Sequence, residues 1–188
     1  MDTIGNPVQQ VLQHVKPSQT TPSKKLVKHT RPDPDELPPI FDPTVDRKFQ
    51  TLVCFRENNG DIEIRRPLSA EERDAIEARK AALDPVIEPY GPDDRTDLEA
   101  CLGTMFAGFR SMRQQGDTVA TTVMITLGVL RKFPAWAIQA TCGKAAAGVI
   151  NPHWPPNDAE LATVVRALVQ PYRAAHDRAR RLLEAKVS

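Results

Sequence analysis

The sequence predicts a mainly α-helical protein: a small helical bundle over residues 95–188, a β-hairpin ahead of it, and a disordered proline-rich arm at the N-terminus. Three observations carry that reading. Apolar residues recur at helical spacing through the second half, capping signatures precede those runs, and eight of the 17 prolines fall within residues 1–43. The expected division is a basic arm over 1–48, a hairpin with an acidic helix and linker over 49–94, and the bundle over 95–188.

In the arm, proline at such density breaks helices, and the scattered apolar residues bury too little to offset chain entropy. Val8, Val11, Leu12 and Val15 share one helical face. That stripe reads either as a partner-docking segment or as a transient helix with no partner.

From Phe49 the texture changes. Thr51–Phe55 is β-prone, Asn58-Asn59-Gly60 is a turn signal, and Asp61–Arg65 alternates with period two, which predicts a hairpin over 50–66. Ser69 and Glu72 form a capping box for a helix expected to reach Leu83 and stop before Asp84-Pro85. Residues 84–94, with three prolines and a glycine, read as a linker.

The second half is better signalled. Thr96–Glu99 is a capping box, followed by Leu98, Leu102, Met105, Phe106, Phe109 and Met112, with Gly116 as the expected stop. Asp117 is placed to cap the next helix, whose inward residues are expected to be Val119, Val123, Met124, Leu127 and Leu130. Its many β-branched residues leave a buried strand over 119–127 as the competing assignment. Pro134 opens a helix with Trp136 and a run of alanines, closed by Gly148. Asn157 and Glu160 cap the last helix, which carries Leu161, Val164, Val165, Leu168 and Tyr172 and which Pro171 is expected to kink or split.

Composition excludes several functions. No stretch approaches the roughly 20 apolar residues that span a bilayer, and the N-terminus has no basic start followed by an apolar block, so a cytoplasmic protein without membrane association is expected. Cys54, Cys101 and Cys142 are too widely spaced for a disulfide framework or zinc cage and read as small buried apolar groups. His14, His29, His153 and His176 form no metal-like spacing, and neither a nucleophile elbow nor a phosphate-cradling loop is present. No metal, cofactor or catalytic residue is expected, and the protein reads as a non-enzyme.

The net charge of +1 conceals a segregated chain. Residues 1–31 carry five basic and one acidic residue, residues 32–100 carry nine and 18, and residues 101–188 carry 11 and five. The basic end supplies a nucleic-acid candidate, Arg173, Arg178, Arg180 and Arg181, against the plainer reading of a solvated helix face. Trp154, Trp136 and Tyr172 are the aromatic candidates for contact with a protein partner. For Trp154, in the stiff His153–Pro156 segment, two readings compete: a plug over the end of the bundle, or an exposed anchor.

The stretch Leu130-Arg-Lys-Phe-Pro-Ala-Trp-Ala-Ile138, the alanine-rich run to Gly148 and Trp154-Pro-Pro-Asn-Asp-Ala-Glu-Leu161 resemble a group of uncharacterised phage and prophage proteins of alphaproteobacteria. Gly60–Ser69, Glu71-Glu72-Arg73 and Arg79 resemble the same group. The helix–Pro–helix–(W/F)PP–helix layout over 95–170 is more distantly similar to phage replicative helicase loader and inhibitor proteins. That resemblance implies a small non-enzymatic adaptor acting in DNA replication through a helicase or its regulator. It carries over no catalytic residue, and neither the arm nor the hairpin has a counterpart in the helicase loaders. The alternative is a direct DNA-binding regulator that uses the basic C-terminal helix and the arm.

Overall fold

The computed structural model describes residues 36–58, 61–112 and 116–187. The expected disorder of residues 1–35, the Val8–Val15 stripe and the Asn59-Gly60 turn lie outside them. Among the described residues the chain is mainly helical, as the sequence predicts, with a small sheet.

The first element, α1 (Pro43–Leu52), stands where the arm and the start of a strand were expected. Asp42 explains the difference. Its Oδ1 accepts from the Thr44 and Val45 N–H groups at 2.8 and 3.1 Å, Pro43 supplies a preset φ in the first turn, and the Asp42 N–H donates to Asp46 Oδ2 at 2.7 Å. Val45, Phe49 and Leu52 then share a face that packs inward. Strand β1 (Val53–Asn58) pairs antiparallel with β2 (Asp61–Ile64), Val53 opposite Ile64.

The expected capping box opens α2 (Ala70–Ile87): Glu72 N–H donates to Ser69 Oγ at 3.2 Å and Ser69 N–H to Glu72 Oε2 at 2.9 Å. The helix does not stop at Leu83 but continues through Pro85. Pro85 removes one hydrogen bond near the helix end. Continuation in return buries Leu83 and Val86 together and presents the Val86 carbonyl to Trp136 Nε1 at 2.8 Å. Tertiary burial overrides the local break.

A 3-10 turn, Pro92–Asp94, leads into α3 (Arg95–Gly108), which ends well before Gly116. Phe109 takes an extended backbone, and its N–H bonds back to the Phe106 carbonyl at 3.1 Å. From that turn Phe109 and Met112 still pack on the main cluster. Gly116 begins α4 (Gly116–Leu130) instead of ending α3, and residues 119–127 are helix, not strand. Val123, Leu127 and Leu130 point inward as expected. Met124 does not; Thr126 is buried on that helix, its hydroxyl donating to Asp158 Oδ1 at 2.6 Å.

Helix α5 (Ala135–Ala146) follows Pro134, which stands at its N-cap. It closes with two nested bonds, Gly148 N–H to the Ala145 carbonyl and Val149 N–H to the Lys144 carbonyl, made feasible by Gly148 at φ +71°. Helix α6 (Asp158–Glu184) is capped by Asn157 and Glu160 and runs 27 residues. Pro171 does not split it, because Val169, Tyr172 and Ala175 are buried on either side of the proline. A short β3 (Lys186–Val187) then adds to β2 in parallel, Ile64 opposite Val187, a pairing of high sequence separation that no local signal announces.

Two apolar clusters result. The larger joins Leu83 and Val86 of α2 to α3, α4, α5 and the first half of α6; the smaller joins α1, β1, β2, Ile76 of α2 and Ala179 and Leu182 of α6. Both lie within one compact unit. The buried Arg79 guanidinium fastens the leading segment to α2 through the Pro39 and Ile40 carbonyls.

Gly148→Ala is expected to destabilise the protein by about 1 kcal/mol, since a Cβ disfavours a positive φ. Gly103→Ala, within α3 and with nothing within 4 Å of a Cβ, is expected to stabilise it by about 0.5–1 kcal/mol. Urea unfolding midpoints compare the two. Glu72 carries a pH dependence as well. Its bidentate bond to Arg66, at 2.8 Å each, and the Ser69 N–H hold its carboxyl far below the usual carboxylate range. A depressed native value gives stability that is present above the unfolded value, about 4.3, and lost as pH falls through the native one. Glu72→Gln keeps the capping box but is expected to flatten the fall in unfolding midpoint between about pH 5 and pH 2.

Candidate functional site

Large apolar side chains are exposed on the turn between α5 and α6 and on the outer side of α4, as they are at Ile40, Phe41 and Val187. Gly148 reverses the chain and leaves Val149 exposed. The Asn151 Oδ1 then accepts from the backbone N–H groups of His153 and Trp154 at 3.4 and 3.3 Å, a local turn of the kind asparagine favours. Pro155 and the buried Pro156 restrict the next backbone steps, and Asn157 starts α6. Trp154 is thus held on a braced loop with 66% of its surface exposed. The ring faces outward and does not cover the end of the bundle, contrary to the plug reading.

Along α4, Met124, Ile125 and Val129 are 50, 57 and 43% exposed, a strip of large apolar side chains on the helix side away from the core. Arg95 of α3 reaches the strip, its Nη2 lying 3.4 Å from Met124 Sδ. The Thr126–Asp158 bond links α4 to the first turn of α6, so loop and strip are mechanically joined.

The other aromatic candidates belong to the interior. Trp136 and Tyr172 are both buried, with ring centroids 5.6 Å apart at an interplanar angle of 80°. With Trp136 Nε1 bonded to the Val86 carbonyl, this pair closes the junction of α2, α5 and α6. Neither ring is open to a partner, which corrects the partner-binding expectation for Trp136 and Tyr172. Helical spacing placed them on apolar stripes, and in both cases the stripe is core.

The four basic candidates are likewise engaged within the chain. Arg173 lies over the Phe133 ring, 5.6 Å from its centroid, and donates to the Lys132 carbonyl at 3.0 Å. Arg178 Nε meets Asp46 Oδ1 at 2.8 Å, pinning α6 to α1. Arg180 bridges Asp177 and Glu184 at 2.6 and 2.9 Å, and Arg181 meets Asp177 at 2.7 Å. The hydrogen bond from Arg180, with Arg181 beside it, holds the Asp177 carboxyl below its ordinary range. Each of Arg173, Arg178, Arg180 and Arg181, the expected nucleic-acid candidates, thus has a partner within the chain, while the Arg180 and Arg181 side chains stay 45% exposed. The carboxylates one helical turn away, Asp177 and Glu184, were visible in the sequence; Asp46, 132 positions distant, was not.

Cys101 and Cys142 lie on the packed helices α3 and α5, Cys101 half-buried and Cys142 buried. Elsewhere, His176 Nε2 meets Asp84 Oδ1 at 2.8 Å, and His153 is exposed. No cluster of three or more metal-ligating side chains occurs among the described residues, and no described helix is long and apolar enough to cross a membrane. No family model, curated protein or solved structure matches the chain.

Arg178→Ala is expected to cost about 1–3 kcal/mol, because it strips the buried Asp46 carboxylate of its charged partner. Arg180→Ala and Arg181→Ala, which break exposed pairs, are expected to stay within about 0.5 kcal/mol of the parent. Chemical denaturation of the three variants measures the difference.

Proposed function

We propose that this chain is a non-enzymatic helical adaptor of the phage and prophage type, acting in DNA replication by docking on a replicative helicase or its regulator. The observation that carries the reading is Trp154, two-thirds exposed on a loop braced by Asn151 and two prolines. A large aromatic side chain held in place before binding loses little conformational entropy on docking, which is what interface anchors share. The exposed strip of Met124, Ile125 and Val129 supports the same reading. So does the position of Trp154 within the motif that resembles the helicase loader and inhibitor proteins. The internal pairing of the C-terminal arginines counts against direct DNA binding through that helix.

Titration of the full chain against a purified alphaproteobacterial replicative helicase tests the proposal. Saturable binding is expected, with Trp154→Ala weakening it by about tenfold or more while leaving the unfolding midpoint unchanged. Absence of binding, or equal binding by the variant, would overturn it.

A further inference from the structure

From the cations gathered around Phe133, we infer a second interaction surface: Arg131, Lys132, Arg166 and Arg173 form a sequence-independent contact for the phosphate backbone of duplex DNA. Residues 118–157 contain no Asp or Glu, so the turn between α4 and α5 carries Arg131 and Lys132 to the surface with no carboxylate near them in the chain. Arg173 of α6 joins them. Its Cζ lies 5.6 Å from the centroid of the buried Phe133 ring, and Lys132 Nζ lies 5.7 Å from the same centroid. Arg173 Nη2 also donates to the Lys132 carbonyl at 3.0 Å. Arg166 is exposed two turns earlier on the same side of α6 as Arg173, since seven residues nearly complete two turns.

The kind of partner separates these four from the arginines further along α6. Arg178 meets Asp46, and Arg180 and Arg181 meet Asp177 and Glu184, so those charges are offset within the chain. Asp177 stands one turn from Arg173 but is taken by Arg180 and Arg181. A ring face and a carbonyl hold Arg173 instead, and they fix its guanidinium without cancelling its charge. Among the described residues, Arg131, Lys132, Arg166 and Arg173 make no ion pair. A polyanion that meets them together relieves their mutual repulsion. The neighbouring side chains select among polyanions. Phe133, Pro134, Ala135 and Trp136 are all buried, so this turn offers no open ring on which an unpaired base could stack and no apolar side chain to seat a peptide. Point charges and guanidinium forks remain, the donors that grip phosphate oxygens without reading bases. This contact is independent of docking through Trp154.

Fluorescence anisotropy of a labelled duplex of mixed sequence, titrated with the full chain, tests the surface. A Kd of about 1–100 µM is expected at physiological salt, and raising NaCl from about 50 to 200 mM is expected to weaken binding with a double-logarithmic slope of about −3 or steeper. Arg131→Gln combined with Lys132→Gln alters only exposed side chains, so the unfolding midpoint is expected to hold. That double variant is expected to bind about tenfold more weakly at low salt and to make the slope shallower by about 2. Arg180→Ala combined with Arg181→Ala removes cations that are already compensated and is expected to change the affinity by less than about threefold. Absence of binding at the lowest salt would overturn the inference, as would an unchanged affinity or slope in the Arg131 and Lys132 variant, or an equal loss in the Arg180 and Arg181 variant. So would tighter binding of the single strand, or of a polyglutamate chain of equal charge, than of the duplex.

Discussion

Helix α6 is the member on which the rest of the structure depends. Its 27 residues extend about 40 Å, and its apolar stripe serves two clusters in succession. Leu161, Val165, Val169 and Tyr172 enter the larger one; Ala179 and Leu182 enter the smaller. Helix α2 packs along it with the same division, Leu83 and Val86 on one side and Ile76 on the other. The burial of Val169, Tyr172 and Ala175 around Pro171 keeps α6 continuous, so that it spans both cores alongside α2.

The prolines take two roles. The helix passes through the proline at Pro85 and Pro171, where buried residues of the same helix lie beyond it. Proline stands at the start of an element at Pro43 and Pro134. A local reading of proline as a breaker succeeds at the second kind of site and fails at the first, because the deciding term is burial of residues such as Val86 and Tyr172 against distant partners. The same distinction governs what was legible elsewhere. Capping boxes at Ser69 and Asn157 depend on residues three apart and were readable, as was the helical character of α4 despite its β-branched side chains. Helix α1 was not read because its signal, Asp42 followed by Pro43, sits in a segment whose composition resembles an arm. Strand β3 and the Arg178–Asp46 pair depend on residues more than 100 positions apart and leave no local trace.

The candidate surface shows the same limit from the other side. Three aromatic residues stood out in the sequence, and they divide by environment: Trp136 and Tyr172 support each other inside, while Trp154 faces out. The Trp136 stripe of small residues specified close packing, and close packing is what a core helix needs. Trp154 stands outside any helical period, between a turn and two prolines, so periodicity had nothing to say about its direction.

Charge gives the last step. Along the chain the middle is acidic and the end is basic, a distribution that on its own suggests a cationic face for an external polyanion. Folding interleaves the two. Arg178 from the basic end meets Asp46 of the acidic stretch, and His176 meets Asp84 of the same stretch. Arg180 and Arg181 turn instead to Asp177 and Glu184 on their own helix. Both sets of contacts lie on the second half of α6, where the burial of Ala179 and Leu182 contributes much less apolar area than the larger cluster does. There the Arg178–Asp46 pair fixes α6 against α1, and the His176–Asp84 hydrogen bond fixes it against α2, at the end of the helix least secured by apolar packing. The segregation of charge in the sequence thus becomes, in the fold, a set of contacts that tie the basic end of the chain to its acidic stretch.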